Sequence, residues 1–395
     1  MPSPELQILI ESIRVVLLKA PQDKLLHLLN SPKIDWKRLD KMVAYHQIRP
    51  VVYETFRQVD FSNDFTEKLA QYSKRQAVRN MVNGQELGRV LLLFQSWHIE
   101  VLPYKGVLFL DNFYQNKPLR ESGDVDLIVK PSQAARVMQL LMDDGYVWVI
   151  DQAPSDEIIE EIVKKASGRE VSLRKTVQSG LTVEIDLHWG MNETFQSYTI
   201  DLDNLFETAA VGNFQHNQVL LPSVDSVFKM LLNHHGGRDC WLKLKDFTDL
   251  IAFMNAQPTA ELTHLRQLAN QMKMTKVFEA GLQLLNTLFY PSTTPLQANL
   301  IPIVRFWEKA QSYEEIIPKF WFRRVHFSLQ DEDMSWSDYI RNQVKYFSVS
   351  YPSERKRIFY FNEKYVFLNA SSKLVSYLWY RFTGAKRKSK LLTTI

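Results

Sequence analysis

Tyr104-Lys105-Gly106, followed eighteen residues after the glycine by Asp124-Val125-Asp126-Leu127-Ile128-Val129, decides how this chain is read. Side chains alternate along a strand, so Asp124 and Asp126 share one face while Val125, Leu127 and Val129 face a core. Two carboxylates so placed can both reach a divalent cation whose other ligands are water and phosphate oxygens. Like charges this close repel, which predicts a raised pKa for one of them when no cation is bound. Gly106, just after a tight turn and opening a short helix, lets backbone N–H groups approach a phosphate.

A third acid comes from Thr182-Val183-Glu184-Ile185-Asp186-Leu187-His188-Trp189, which alternates strictly. Val183, Ile185 and Leu187 take one face; Glu184, Asp186 and His188 take the other. A lone polar face is often only the wet side of a sheet. Here Asp186, with Glu184 as the substitute, supplies the carboxylate that a two-aspartate cation site still needs.

Around these segments the pattern is helical. Residues 4–95 carry apolar spacings such as Leu25, Leu28 and Leu29, then Leu87, Val90, Leu91 and Phe94, divided at Ser31-Pro32 and Asp60–Asp64. Strand character starts at Ile99, and a short helix spans Val107 to Phe113. Beyond Pro131, Ser132 is the expected cap of a helix stopped at Gly145. Strands follow at 146–150, 171–177 and 181–189, the last two joined at Ser179-Gly180. Nine of the thirteen glycines lie between Gly106 and Gly237, which concentrates turns in this middle segment. From Ser223 helices return: Val224 to His235, ending at Gly236, then Cys240 to Met254.

The expected architecture is α+β, a small mixed β-sheet core flanked by helical regions. Its divisions are 1–95 (N-terminal helices), 96–220 (the catalytic core), 221–295 (helices completing a crevice) and 296–395 (aromatic-rich and basic).

Composition sets limits. At 395 residues and 45% hydrophobic the chain can bury a full core. It has no run of eighteen apolar residues, so no transmembrane segment is expected. The amphipathic start lacks an export signal, which points to a cytoplasmic protein of bacterial type. Cys240 is the single cysteine, excluding an internal disulfide and a cysteine-ligated metal cluster. Residues 341–395 hold twelve Lys/Arg against Glu354 and Glu363, and twenty of the 75 residues from Phe306 to Tyr380 are aromatic. Such an end suits peripheral contact with an anionic surface; a solvated tail on a packed helical domain is the competing reading.

Lys105-Gly106, Leu108, Tyr114, Arg120, Gly123-Asp124-Val125-Asp126-Leu127-Ile128-Val129 and Glu184-Ile185-Asp186-Leu187-His188-Trp189 together resemble the uncharacterised nucleotidyltransferase family of the polymerase-beta-like superfamily. His234, Trp241, Leu244 and Asp249 resemble its downstream signature. The resemblance implies Mg²⁺ or Mn²⁺ on Asp124, Asp126 and Asp186, the catalytic residues. It also implies a nucleoside triphosphate substrate, with ATP expected, held by Lys105, Gly106, Arg120, Gly123 and His188. The reaction would be in-line displacement at the α-phosphorus, passing a nucleoside monophosphate to a small-molecule, glycan or protein acceptor and releasing pyrophosphate. Surface polysaccharide or natural-product synthesis is the implied setting.

One departure from the superfamily stands out. Its Gly-Ser before the first helix is here Lys105-Gly106, so a serine contact to phosphate is missing and Lys105 can serve as a point charge. Arg120 is the expected phosphate fork, with an ion pair to Glu121 or Asp124 as its plain alternative. His234 and His235 are explained by a helix C-terminus. The rival readings are a nucleotide-sugar-dependent glycosyltransferase, which would place several parallel strands ahead of the aspartates, and a catalytically inactive nucleotide-binding relative.

Overall fold

In the computed structural model, residues 3–290 are described except 115–117, 150–168 (where 159 and 163 are kept), 178–179, 192–199 (where 198 is kept) and 259–260; beyond 290 only scattered positions are described. The basic, aromatic-rich end and its surface contact thus lie outside the described residues.

Five helices precede the first strand: α1 (Pro4–Leu18), α2 (Asp23–Leu29), α3 (Trp36–His46), α4 (Arg49–Gln58) and α5 (Asp64–Ser96). The breaks expected at Ser31-Pro32 and Asp60–Asp64 fall between them. Asn63 caps α5 by accepting from the Thr66 amide. Then come β1 (Val101–Tyr104), α6 (Gly106–Phe113), β2 (Val125–Val129), α7 (Pro131–Asp143), β3 (Val147–Trp148), β4 (Glu170–Thr176) and β5 (Thr182–His188).

The sheet order is β1-β2-β5-β4-β3, with β2 and β5 parallel and the other pairs antiparallel. The fold is α+β, as expected. Its decisive register pairs Asp126 with Asp186 and Ile128 with His188 across β2 and β5. On the far side of β5, Ser172 stands opposite Asp186 and Glu170 opposite His188.

Both faces of β2 are covered. Val125, Leu127 and Val129 join a core with α5, α7, Val183, Ile185 and Leu187. Ile128, Leu102 and Tyr104 join a second core made with α1, α4 and the helices after residue 224. Asp126 therefore lies under packed helices at 2% exposure and is not the wet carboxylate that alternation alone suggests.

Several expected boundaries move. Pro131 is the first residue of α7, where its missing N–H costs nothing, so Ser132 is not the cap. Gly145, at φ 89°, does stop that helix. The strand expected at 146–150 is the two-residue β3. After α8 (Leu202–Glu207) comes a hairpin of β6 (Ala210–Phe214) and β7 (Asn217–Leu221) that was not anticipated.

Helix α9 (Val224–Leu231) does not end at Gly236. It runs on as a π-helix, Leu232–Arg238. Gly236 and Gly237 lie against Val277, Trp241 and Tyr198, so they serve close packing and not a stop. Cys240 and Trp241 take positive φ, and the next helix, α10, starts only at Leu244 and runs to Ala256. Helices α11 (Leu262–Gln271) and α12 (Thr275–Phe289) close the second core. Among the described residues no helix is long and apolar enough to cross a membrane.

Candidate active site

The C-terminal end of β1, the start of α6, the strands β2 and β5, α5 and the π-helix enclose one cavity of about 630 Å³. Lys105, Gly106, Arg120, Gly123, Asp124, Asp126, Asp186 and His188 all line it. Asp126, Asp186 and His188 each present an atom within 4.8 Å of the others'. Asp124, half-buried just before β2, lines the same wall.

Hydrogen bonds fix how Asp126 is presented. Its Oδ1 lies 2.9 Å from Lys105 Nζ and 3.1 Å from His188 Nε2, while its buried Oδ2 has no hydrogen-bond partner. A buried carboxylate oxygen without a partner is costly, and a cation would satisfy it. Asp126, Asp186 and His188 thus form a group that could hold a cation; Asp124 lines the same wall but is not part of that group. When bound, such an ion neutralises phosphate charge and polarises the reacting oxygens.

His188 Nδ1 lies 3.2 Å from Glu170 Oε2, so Glu170, His188, Asp126 and Lys105 alternate in charge. Burial would raise Asp126, yet Lys105 and His188 outweigh it and hold its pKa below the ordinary value. Asp186 goes the other way. Burial and then the charge of Asp126 push it up to about 6, against a hydrogen bond of 2.6 Å donated by Ser172. The raised carboxyl is thus on the neighbouring strand and is not Asp126.

Lys105 adopts φ 43° and ψ −145°, a conformation glycine takes readily and a side chain only at a cost of about 1–3 kcal/mol. From this strained backbone Nζ reaches Asp126. At Gly106 a side chain is disfavoured by φ 56°, and a Cβ would sit tightly, 3.2 Å from Ser122 Oγ and 3.3 Å from the Asp124 carbonyl. Gly123 is exposed and meets nothing within 4 Å, so packing does not require a glycine there.

Arg120 is placed differently from expectation. It is 3% exposed and donates through Nε and Nη2 to Asp249 at 2.8 and 3.0 Å, and through Nη1 to the Gly106 carbonyl at 3.0 Å. All three nitrogens are engaged inside the protein, and neither Glu121 nor Asp124 is the partner. The guanidinium uses three of its five N–H groups to brace Gly106 and Asp249. Tyr114 donates to Asp249 at 2.7 Å and is likewise packed.

His235 is held between Asp246 (3.1 Å) and Asp249 (2.9 Å), so a helix C-terminus does not account for it. Burial and then Lys105 keep His234 well below the usual histidine range, and its Nε2 lies 3.4 Å from Lys105 Nζ. Glu170 and Arg238, which no local sequence signal marks, also line the cavity; only the register of β4 on β5 brings Glu170 to His188.

Asp126 and Asp186 thus stand side by side on parallel strands, and Gly106 opens α6 in the same cavity. The chain belongs to the family described as "Uncharacterised nucleotidyltransferase", whose family model matches residues 32–290. A solved structure described as an antigenic nucleotidyltransferase-like protein from Paracoccidioides brasiliensis is similar at 16% identity, with a TM-score of 0.32, over 51% of this chain and 91% of that one. Comparison with curated proteins gives no match. The parallel strands that a glycosyltransferase would place before the aspartates are replaced by α1–α5.

Proposed function

We propose that this nucleotidyltransferase moves a nucleoside monophosphate from a nucleoside triphosphate, with ATP as the expected donor, to an acceptor hydroxyl. Mg²⁺ or Mn²⁺ bound by Asp124, Asp126 and Asp186 is part of this reading. The observation that carries it is the Asp126–Asp186 register together with the unpartnered Asp126 Oδ2.

The acceptor oxygen attacks the α-phosphorus, the bond to the α–β bridging oxygen breaks, and pyrophosphate leaves. Asp186, raised to about 6 and bonded by Ser172, takes the hydroxyl proton. Gly106 lets the phosphates approach the amides at the start of α6. Lys105 and His188 keep Asp126 ionised and fix its Oδ1, leaving Oδ2 for the cation. Arg120 carries no phosphate; it holds the Gly106 carbonyl and the α10 wall in place.

The test is product analysis with a triphosphate labelled at the α position, Mg²⁺ and extracts as the acceptor source. Pyrophosphate with a labelled acceptor supports the reading. Nucleoside diphosphate with a phosphorylated acceptor means γ-phosphoryl transfer and removes it.

A further inference from the structure

The basic side chains of the cavity, set against six Asp and Glu in the same lining, lie on two different walls. Eight Lys and Arg side chains line it. Arg49 is paired with Glu121, Lys105 with Asp126 and Arg120 with Asp249. Among the described residues no carboxylate lies within ion-pair distance of Arg75 or Arg79 on α5, or of Lys243 or Lys245 at the start of α10.

The two walls differ in depth. Lys245 is partly buried; burial and then the charge of Arg120 depress its pKa, with Lys105 adding to this. Its Nζ lies 3.4 Å from Gln47 Oε1 in the cavity wall. Arg75 and Arg79 are exposed and line the same cavity. One helical turn apart, they share a face of α5.

Their helix is fixed with respect to the carboxylates. Gln76 donates to the Ser122 carbonyl at 2.6 Å, and Asn80 donates to the Arg120 carbonyl at 2.9 Å. Neighbours of the two arginines thus lock α5 onto the loop that enters β2, which fixes the backbone carrying them relative to Asp124 and Asp126. Two exposed guanidinium forks in the cavity lining, with no carboxylate at ion-pair distance among the described residues, suit a dianionic tetrahedral group better than a hydroxyl or an apolar body.

We infer that the acceptor is itself phosphorylated: Arg75 and Arg79 form a subsite for a phosphate monoester on a small hydroxyl-bearing acceptor, separate from the donor's triphosphate. This rests on the nucleotidyl-transfer reading. It narrows the acceptor class to phosphorylated polyols such as sugar phosphates, and it implies that a kinase-type reaction supplies the acceptor.

Calorimetric titration of the full chain tests it, first with a nonhydrolysable triphosphate and Mg²⁺, then with glycerol 3-phosphate added to the loaded protein. Glycerol 3-phosphate should bind the loaded wild type, and glycerol should not. In the Arg75→Ala/Arg79→Ala variant its affinity should fall at least tenfold, while triphosphate affinity changes less than twofold. Loss of triphosphate affinity in that variant would assign the arginines to the donor and overturn the inference, as would glycerol 3-phosphate binding that survives the substitutions or is absent from loaded wild type. Triphosphate that fails to bind wild type would instead bring down the transfer reading, and this inference with it.

Discussion

Arg120 and Asp249, 129 residues apart in the chain, meet in a buried pair of hydrogen bonds of 2.8 and 3.0 Å directly behind the active-site glycine. Burial would raise Asp249, but Arg120 and then His235 hold its carboxyl far below the usual carboxylate range. The pair ties the loop before β2 to α10 and supports the floor of the cavity.

Removing one member of such a pair leaves the other charge buried and uncompensated. Arg120→Ala should cost about 3–5 kcal/mol of folding stability, read from urea unfolding. Under conditions where the variant is folded, its triphosphate affinity should drop far less than its stability. A variant of normal stability that has lost nucleotide binding would restore Arg120 as a phosphate ligand.

Asp126→Asn should reduce nucleotidyl transfer by at least a hundredfold. It should also destabilise the fold by about 1–3 kcal/mol at neutral pH, because Lys105 and His188 lose the charge between them. Unfolding curves with and without Mg²⁺ check this: the wild type should gain stability from the cation and the variant should not.

For Asp186 the sign is opposite. Its folded pKa of about 6 lies above the ordinary carboxylate value, so the native state holds the proton more tightly than the unfolded chain. Stability is consequently lost as pH rises from about 4 to 6. At pH 7 Asp186→Asn should raise stability by about 1–2 kcal/mol while abolishing transfer. The wild-type rate should climb with pH through about 6, with the midpoint moving lower as Mg²⁺ is increased. A flat profile between pH 5 and 7 at low Mg²⁺ would remove Asp186 as the base.

His46, which does not line the cavity, provides a separate acid sensitivity. Its Nδ1 accepts from the Leu244 amide at 3.1 Å, and burial with the nearby Lys243 lowers its pKa to about 3. The unfolded chain takes up this proton near pH 6.5, so stability should fall as pH drops from 6.5 toward 3, by up to about 5 kcal/mol. His234, also held neutral by burial and Lys105, adds in the same direction. His46→Gln should flatten the dependence between pH 6.5 and 4.5, as measured by urea unfolding at each pH.

The sheet core was legible because its signals are local. Alternation along 125–129 and 182–188 put Asp126 and Asp186 on matching faces, and Gly145 ended α7 as its position demanded. What stayed hidden depends on distant pairing. Nothing within a few residues of Arg120 announces Asp249, and Glu170 acquires its role only when β4 docks on β5. Lys105 shows the reverse problem: its backbone is one that lysine avoids, so propensity pointed away from it. Gly236 and Gly237 misled for a related reason, since a glycine that ends a helix and one that admits Trp241 or Tyr198 look alike in sequence.

Helix α5 has a consequence for how the molecule comes apart. Its first turns, through Phe65 and Leu69, are rooted among the N-terminal helices, while Val82, Leu87, Val90, Leu91 and Phe94 are rooted in the sheet. A continuous rod of 33 residues shared in this way leaves no seam between the two halves. Heating should therefore melt both in a single calorimetric peak, and a proteolytic nick within the rod should release neither as a stable fragment.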